Sequence, residues 1–321
     1  IQGIVFFMPR FFFFFFYHLI LERSASTLRK KNALRFTHAR YKNPRAAYPQ
    51  NDLGDMATAY LSKENYNSSA IKSKERTTKL KFYPSSIGQS DRDIVLGMLG
   101  YIGAPVSGEA LMIMENGTYF HNRMEAIFED MGIMIAPELP LRDEELCISG
   151  RSDAIVWNYL RKEDDPDGEI ITLKDFQGKT IYHGPENYVL LVEFKSISEN
   201  QYYKLRKSKP KDEHEQQLQL YFHLTGITNG IVYYENKNNQ RHLEYIIKKD
   251  DEIIEQVTSR IKRLLDCARK REIPEAEYLP TDIQARFSNY REMTYHDANP
   301  FRFEVLFKTD QRLAKEHSIP F

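Results

Sequence analysis

Apolar side chains recur along this chain at two different periods, and the changes of period divide it into elements. Pro84-Ser85-Ser86-Ile87 opens a helical stretch running to about Leu99, with Ser85 or Ser86 positioned to cap it. A turn over Gly100 to Pro105 follows. Residues 107–131 read as helix with a break near Asn116-Gly117; the second half sets Phe120, Met124, Ile127, Phe128 and Met131 on one stripe, and Gly132 closes it. Residues 147–157 read as one strand, Asp164 to Gly168 as a turn, and the stretch to about Pro185 as short strands or loop. Residues 188–196 form the strongest strand pattern, a continuous apolar run of the kind found in a central strand covered on both faces. Residues 213–225 read as helix ended by Gly226, 230–235 and 242–248 as strands joined by the turn at 236–239, and 251–271 as a long charged amphipathic helix. Helices before and after a run of strands predict an α/β (α+β) fold with a central mixed sheet flanked by helices.

The 321 residues, 41% hydrophobic and 28% charged, describe a globular chain with a real core rather than a membrane bundle or a disordered segment. Two cysteines, Cys147 and Cys267, exclude a disulfide scaffold and any four-thiolate site built from this chain alone. The formal net charge of zero conceals an asymmetry: residues 1–80 hold 14 Lys/Arg against 5 Asp/Glu, and the remainder holds 31 against 40. Neutrality therefore says little about a nucleic-acid partner.

The opening segment begins at Ile1 and carries six consecutive Phe over 11–16. Pro9, Arg10 and His18 interrupt a membrane span. Arg10, an apolar stretch and Ser24-Ala25-Ser26 loosely fit a secretory signal. The leading expectation is that this run is not native coding sequence and that Met56 or another downstream start begins the protein; an extension or a targeting segment is the alternative. Residues 62–79 read as a polar linker. The expected organisation is thus 1–79 as extension plus linker, 80–272 as the core, and 273–321 as a tail packing on it, with a cytoplasmic location and no stable membrane association.

On the strand at 188–196, Glu193 and Lys195 point to the same face. Glu-x-Lys on a strand is usually a solvated pair, but apolar neighbours make this one costly without a partner or a task. Asp153, after Gly150-Arg151-Ser152, offers a second carboxylate if the two strands pair. Asp153, Glu193 and the backbone carbonyl of Phe194 suit Mg²⁺ or Mn²⁺. Lys195 then orients or deprotonates a water, its pKa lowered for base work, or stabilises charge on a phosphodiester undergoing hydrolysis. Gln217 and Tyr221 lie one turn apart on one helix face, and His214 precedes Gln217 by a turn, as a structural cap or a backbone contact. Lys204, Arg206, Lys207, Lys209 and Lys211 form a basic loop between the Glu193 strand and the Gln217 helix, suited to phosphate contacts, with Tyr202 and Tyr203 beside it as stacking or packing groups.

Gly150-Arg-Ser-Asp153, Glu193-Phe194-Lys195 and Gln217-Leu-Gln-Leu-Tyr221, preceded by His121 on a helix, resemble the PD-(D/E)XK nuclease superfamily, and within it the RecB-like branch that includes phage and CRISPR-adaptation exonucleases. The resemblance covers about residues 82–250 and agrees in order throughout. It implies a restriction-endonuclease-like core, His121, Asp153 and Glu193 as metal ligands, Lys195 as the catalytic lysine, and Gln217 and Tyr221 as groups positioning the site or the DNA backbone. It implies a Mg²⁺- or Mn²⁺-dependent DNA exonuclease acting on ends or single strands in phage or bacterial replication, recombination or repair, with other proteins of those processes as possible partners. An endonuclease of the same fold and a catalytically silent DNA-binding module are the alternatives. Several members of the branch carry an iron–sulfur cluster; Ser90 stands where its first cysteine would be, so no cluster is expected.

Overall fold

The computed structural model describes residues 80–295 except 102 and 105, together with Gly54, Ala57, Thr58 and 60–62. The features expected before residue 54, at Met56, over 63–79 and beyond 295 lie outside the described residues. The chain divides into two compact units, Ile1–Tyr60 and Leu61–Phe321. In the first, the Thr58 hydroxyl donates to the Gly54 carbonyl at 3.2 Å. The second unit holds the sheets and the helices around them.

Its helices are α1 (Asp91–Met98), α2 (Gly108–Asp130), α3 (Glu199–Leu205), α4 (Asp212–Thr225), α5 (Asp251–Lys270), α6 (Ile283–Arg286) and α7 (Arg291–Tyr295). Its strands are β1 (Met134–Pro137), β2 (Pro140–Asp143), β3 (Ile148–Arg151), β4 (Ala154–Trp157), β5 (Ile170–Lys174), β6 (Thr180–Pro185), β7 (Val189–Ile197), β8 (Asn229–Asn236) and β9 (His242–Lys248). The fold is a mixed α/β structure. A five-stranded sheet of order β1-β4-β7-β8-β9 is antiparallel except between β7 and β8, and helices flank it. Two hairpin sheets, β2-β3 and β5-β6, stand apart from it. No helix among the described residues is long and apolar enough to cross a membrane.

β7 is the centre of the molecule. Its residues 189–194 are all buried because both faces are covered. Leu190, Val192 and Phe194 pack with Phe120 and Met124 of α2. Val189 and Leu191 face the other way, in the cluster that holds Leu218, Tyr221 and Phe222 of α4. Alternation along the strand therefore turns Glu193 and Lys195 toward the α4 side. Close approach of α4 depends on Gly230 of β8: a Cβ there would lie 2.8 Å from the Leu191 carbonyl oxygen and 3.0 Å from Leu218 and Phe222 side-chain atoms. A third cluster joins α1 and α5 through Val95, Met98, Ile261 and Leu264. Arg260 of α5 fastens this end, donating to Asp91 at 2.8 Å and to the carbonyls of Ile87 and Gln89 at 2.6 and 2.8 Å.

Five sequence expectations are corrected. The helix expected from Pro84 is a 3-10 turn, Pro84–Ser86, followed by α1, whose cap is Ser90 rather than Ser85 or Ser86; the Ser90 hydroxyl accepts from the Asp93 amide at 3.1 Å. α2 runs unbroken through Asn116-Gly117. Its buried stripe is Phe120 and Met124 with Phe128 partly buried, whereas Ile127 and Met131 are exposed. The strand expected over 147–157 is two strands, β3 and β4, in different sheets: the Ser152 amide donates to the Leu139 carbonyl and the Glu138 amide to the Asp153 carbonyl, both at 3.0 Å, where the chain changes partner. Lys204 belongs to α3, so the basic loop proper begins after Leu205.

Candidate active site

The β4–β7 ladder pairs Ala154 with Val192, so the next position brings Asp153 opposite Glu193. Glu193 is buried, and the Lys195 ammonium donates to its Oε1. Its other oxygen, Oε2, is buried and has no hydrogen-bond partner among the described residues. Asp153 Oδ2 accepts the Phe194 amide at 2.7 Å, which fixes the carboxylate against β7. Its Oδ1 stands 3.4 Å from Nδ1 of His121 on α2. The His121 ring is wedged edge-on against Phe120 and Phe194, with centroids 5.7 Å apart in each case.

The charges shift one another as close packing requires. Burial, then repulsion from Asp153, pushes the Glu193 carboxyl up to about 7 although Lys195 opposes this. Burial works against the Lys195 ammonium, but Glu193 and Asp153 outweigh it and hold its pKa above the ordinary value. Two carboxylates beside it favour the charged ammonium, which suits stabilising negative charge on a substrate. Burial also opposes the His121 imidazolium, and the Asp153 carboxylate, with Glu193 behind it, raises its pKa nonetheless.

Gln217 and Tyr221 are both buried on α4. Gln217 Nε2 donates to the Tyr221 hydroxyl at 2.6 Å, and that hydroxyl donates to the Arg151 carbonyl at 3.0 Å. Through this relay α4 grips the chain two residues before Asp153. The pair thus acts here as positioning residues and does not itself line an open surface. Gly150 permits the same stretch to lie against Pro84, whose Cδ would be 2.8 Å from an added Cβ. His214 does not cap α4: Nδ1 lies 2.8 Å from the Tyr234 hydroxyl.

The five basic residues divide into two groups. Lys209 pairs with Asp212 at 2.6 Å and Lys211 with Glu213 at 3.5 Å. Lys204, Arg206 and Lys207 are exposed and form no ion pair among the described residues. Tyr202 is buried against Tyr203, which is exposed.

Sequence reasoning passed over Glu125. It lies one helical turn beyond His121, and burial first, then Glu138, raises its carboxyl pKa, with Asp153 contributing. The signal was present as the His121–Glu125 spacing of four on the helix. Among the described residues no three His, Cys, Asp or Glu side chains are gathered into a ready metal pocket. The donor set nevertheless fits a hard divalent cation. Two carboxylates meet across β4–β7, one of their oxygens is buried without a partner among the described residues, and their mutual repulsion would be relieved by a cation between them.

No protein-family model matches the chain, and no curated protein matches it. Among solved structures it is similar to SSO0001, at 16% identity and a TM-score of 0.41, over 72% of this chain and 94% of that one. It is also similar to an alkaline exonuclease, LHK-Exo, from Laribacter hongkongensis, at 13% identity and a TM-score of 0.41, over 65% of this chain and 94% of that one. The same enzyme in complex with dAMP gives 13% identity and a TM-score of 0.40 over the same shares.

Proposed function

We propose that the chain is a metal-dependent deoxyribonuclease that works as an exonuclease at DNA ends or on single strands, in phage or bacterial replication, recombination or repair. The observation that carries this reading is a buried carboxylate, Glu193, facing a partly buried one, Asp153, with one Glu193 oxygen unpartnered among the described residues and an ammonium, Lys195, locked beside it. A set so costly to bury is maintained for chemistry more readily than for stability. The order of His121, Asp153, Glu193, Lys195, Gln217 and Tyr221 in the sequence, resembling the PD-(D/E)XK nucleases, supports the same reading.

In this mechanism Asp153 and Glu193 would hold the cation, and His121 and the Phe194 carbonyl would be further donors. The chemistry supplied by a bound Mg²⁺ or Mn²⁺ there is charge neutralisation at the phosphate and acidification of a water. Lys195 faces the phosphate as a fixed positive charge and stabilises the charge that builds on its oxygens. The Phe194 amide holds Asp153 in orientation, and the Gln217–Tyr221 relay holds the segment that delivers it. Arg206 and Lys207 contact the phosphates of the strand outside the reacting bond.

The test is cleavage by the full chain, with Mg²⁺ or Mn²⁺, of linear single-stranded and duplex DNA labelled at either end and of closed circles. Glu193→Ala and Lys195→Ala serve as controls. Cleavage of linear DNA alone, abolished in both variants, is the expected result and reads off the polarity. Cut circles would make the protein an endonuclease. Salt-sensitive binding without cleavage would make it a silent DNA-binding module.

A further inference from the structure

Tyr234 is fully buried on β8, where it stands in register with Lys195 of β7. Its phenolic oxygen accepts the Lys211 amide at 3.1 Å and lies 2.8 Å from His214 Nδ1. A buried hydroxyl needs an acceptor for its own proton, and His214 Nδ1 is the one within reach among the described residues. Tyr234 therefore donates to Nδ1. A nitrogen that accepts carries no proton, so the proton of the neutral ring sits on Nε2. Burial first, then the charges of Lys195 and Lys211, holds the ring's pKa down to about 3, in keeping with a neutral imidazole. Nε2 has no partner among the described residues and is not sealed from solvent, since the ring is half-buried and this atom is not one of the buried unpartnered ones. His214 sits in the first turn of α4, one turn before Gln217, on the helix that covers the Glu193 and Lys195 face of the sheet.

Resting on the nuclease reading above, we propose that His214 is a further substrate-contacting residue: Tyr234 fixes its tautomer so that Nε2–H donates a hydrogen bond to a non-bridging oxygen of the phosphate that Lys195 faces. Lysine supplies charge without direction, whereas an imidazole N–H whose ring is pinned at its other nitrogen supplies direction. The two together select one phosphate oxygen and hold the phosphorus in line for attack.

The experiment compares His214→Asn with His214→Gln in steady-state cleavage of labelled linear DNA by the full chain, with affinity for the same DNA measured by anisotropy in chelator. Asn keeps a polar atom near the Nδ1 position that faces Tyr234 and removes the outer donor. Gln carries an amide N–H near the Nε2 position. The proposal expects Asn to lower kcat by about 10- to 100-fold, the range for losing a hydrogen bond to a charged group, with DNA affinity within about threefold of wild type. Gln is expected to recover most of that loss. A merely structural role orders the variants the other way, because Asn retains the Tyr234 contact, and moves affinity and thermal midpoint along with kcat. Asn equal to or better than Gln, or kcat unchanged in both, overturns the proposal while cleavage by wild type leaves the nuclease reading standing. A wild-type chain no more active than Lys195→Ala overturns both.

Discussion

Among the described residues Lys195 is the hydrogen-bond partner of the Glu193 carboxylate, and that carboxylate is buried. Removing one member of a buried ion pair ordinarily costs about 3–5 kcal/mol, because the other is left charged and dry. Here the carboxyl already sits at about 7, so a proton substitutes for the missing ammonium. Lys195→Met is therefore expected to cost about 1–3 kcal/mol near pH 5.5, and more near pH 8, where that proton must be given up. Urea unfolding at the two pH values checks this, and equal losses would refute it. In the same variant cleavage is expected to fall by about 100- to 1,000-fold, as for loss of one preorganised charge-stabilising group. His214 gives the opposite slope. Its folded-state pKa is held at about 3 against an ordinary 6.5, so between those values the unfolded chain binds a proton that the folded chain refuses. Stability from this group is complete above 6.5 and is lost as pH falls toward 3. Because Glu193 titrates the other way over part of that window, the check is the difference between wild type and His214→Gln. Their urea midpoints should converge from about pH 7 to about pH 4.5, as the wild type's histidine-linked advantage disappears. At this scale the pairing of Glu193 with Lys195 was legible from strand alternation alone. The raised lysine pKa was not, because it depends on Asp153 reaching the same pocket from another strand.

The elements were legible where one periodicity met one partner. β7 announced itself because its apolar run serves two covered faces, and α4 because Gly226 ends it in the left-handed conformation at φ 78°. The stretch 147–157 misled because β3 and β4 follow one another with only Ser152 and Asp153 between them, yet pair in different sheets. Asn116-Gly117 misled in another way: glycine weakens a helix without ending it, at about 1 kcal/mol, and α2 has 23 residues over which to absorb that. An unbroken helix makes a definite prediction. A Cβ at Gly117 would meet nothing within 4 Å. Gly117→Ala should thus stabilise the protein by about 0.5–1 kcal/mol, through backbone entropy alone, with cleavage unchanged. A thermal or urea midpoint that rises supports the continuous helix; one that falls would restore the expected break. α2 matters beyond stability, since it carries His121 to Asp153 from the face of the sheet opposite α4.

For the whole molecule, a formal net charge of zero means that attraction of a polyanion rests on where cations are gathered rather than on the total. In the sequence the five basic residues from Lys204 to Lys211 form one undivided cluster. The fold divides it: Asp212 and Glu213, at the start of α4, hold Lys209 and Lys211, whereas Lys204, Arg206 and Lys207 stay exposed and unpaired among the described residues. A cation already neutralised by a carboxylate releases little when it meets a phosphate, because displacing the carboxylate offsets most of the counterion gain. The two groups should consequently separate in the salt dependence of DNA binding. The measurement is anisotropy of labelled single-stranded DNA in the inactive Glu193→Gln chain, across a series of salt concentrations. Each lost phosphate contact lowers the slope of log affinity against log salt by about 1. Arg206→Ala combined with Lys207→Ala should therefore lower it by about 2, and Lys209→Ala combined with Lys211→Ala by less than half as much. Equal slopes for the two doubles would mean that the Asp212 and Glu213 pairs open when DNA arrives. A slope unchanged by the first double would mean that the strand leaves the site by another route, and the phosphate contacts assigned to Arg206 and Lys207 would have to be sought elsewhere on the surface.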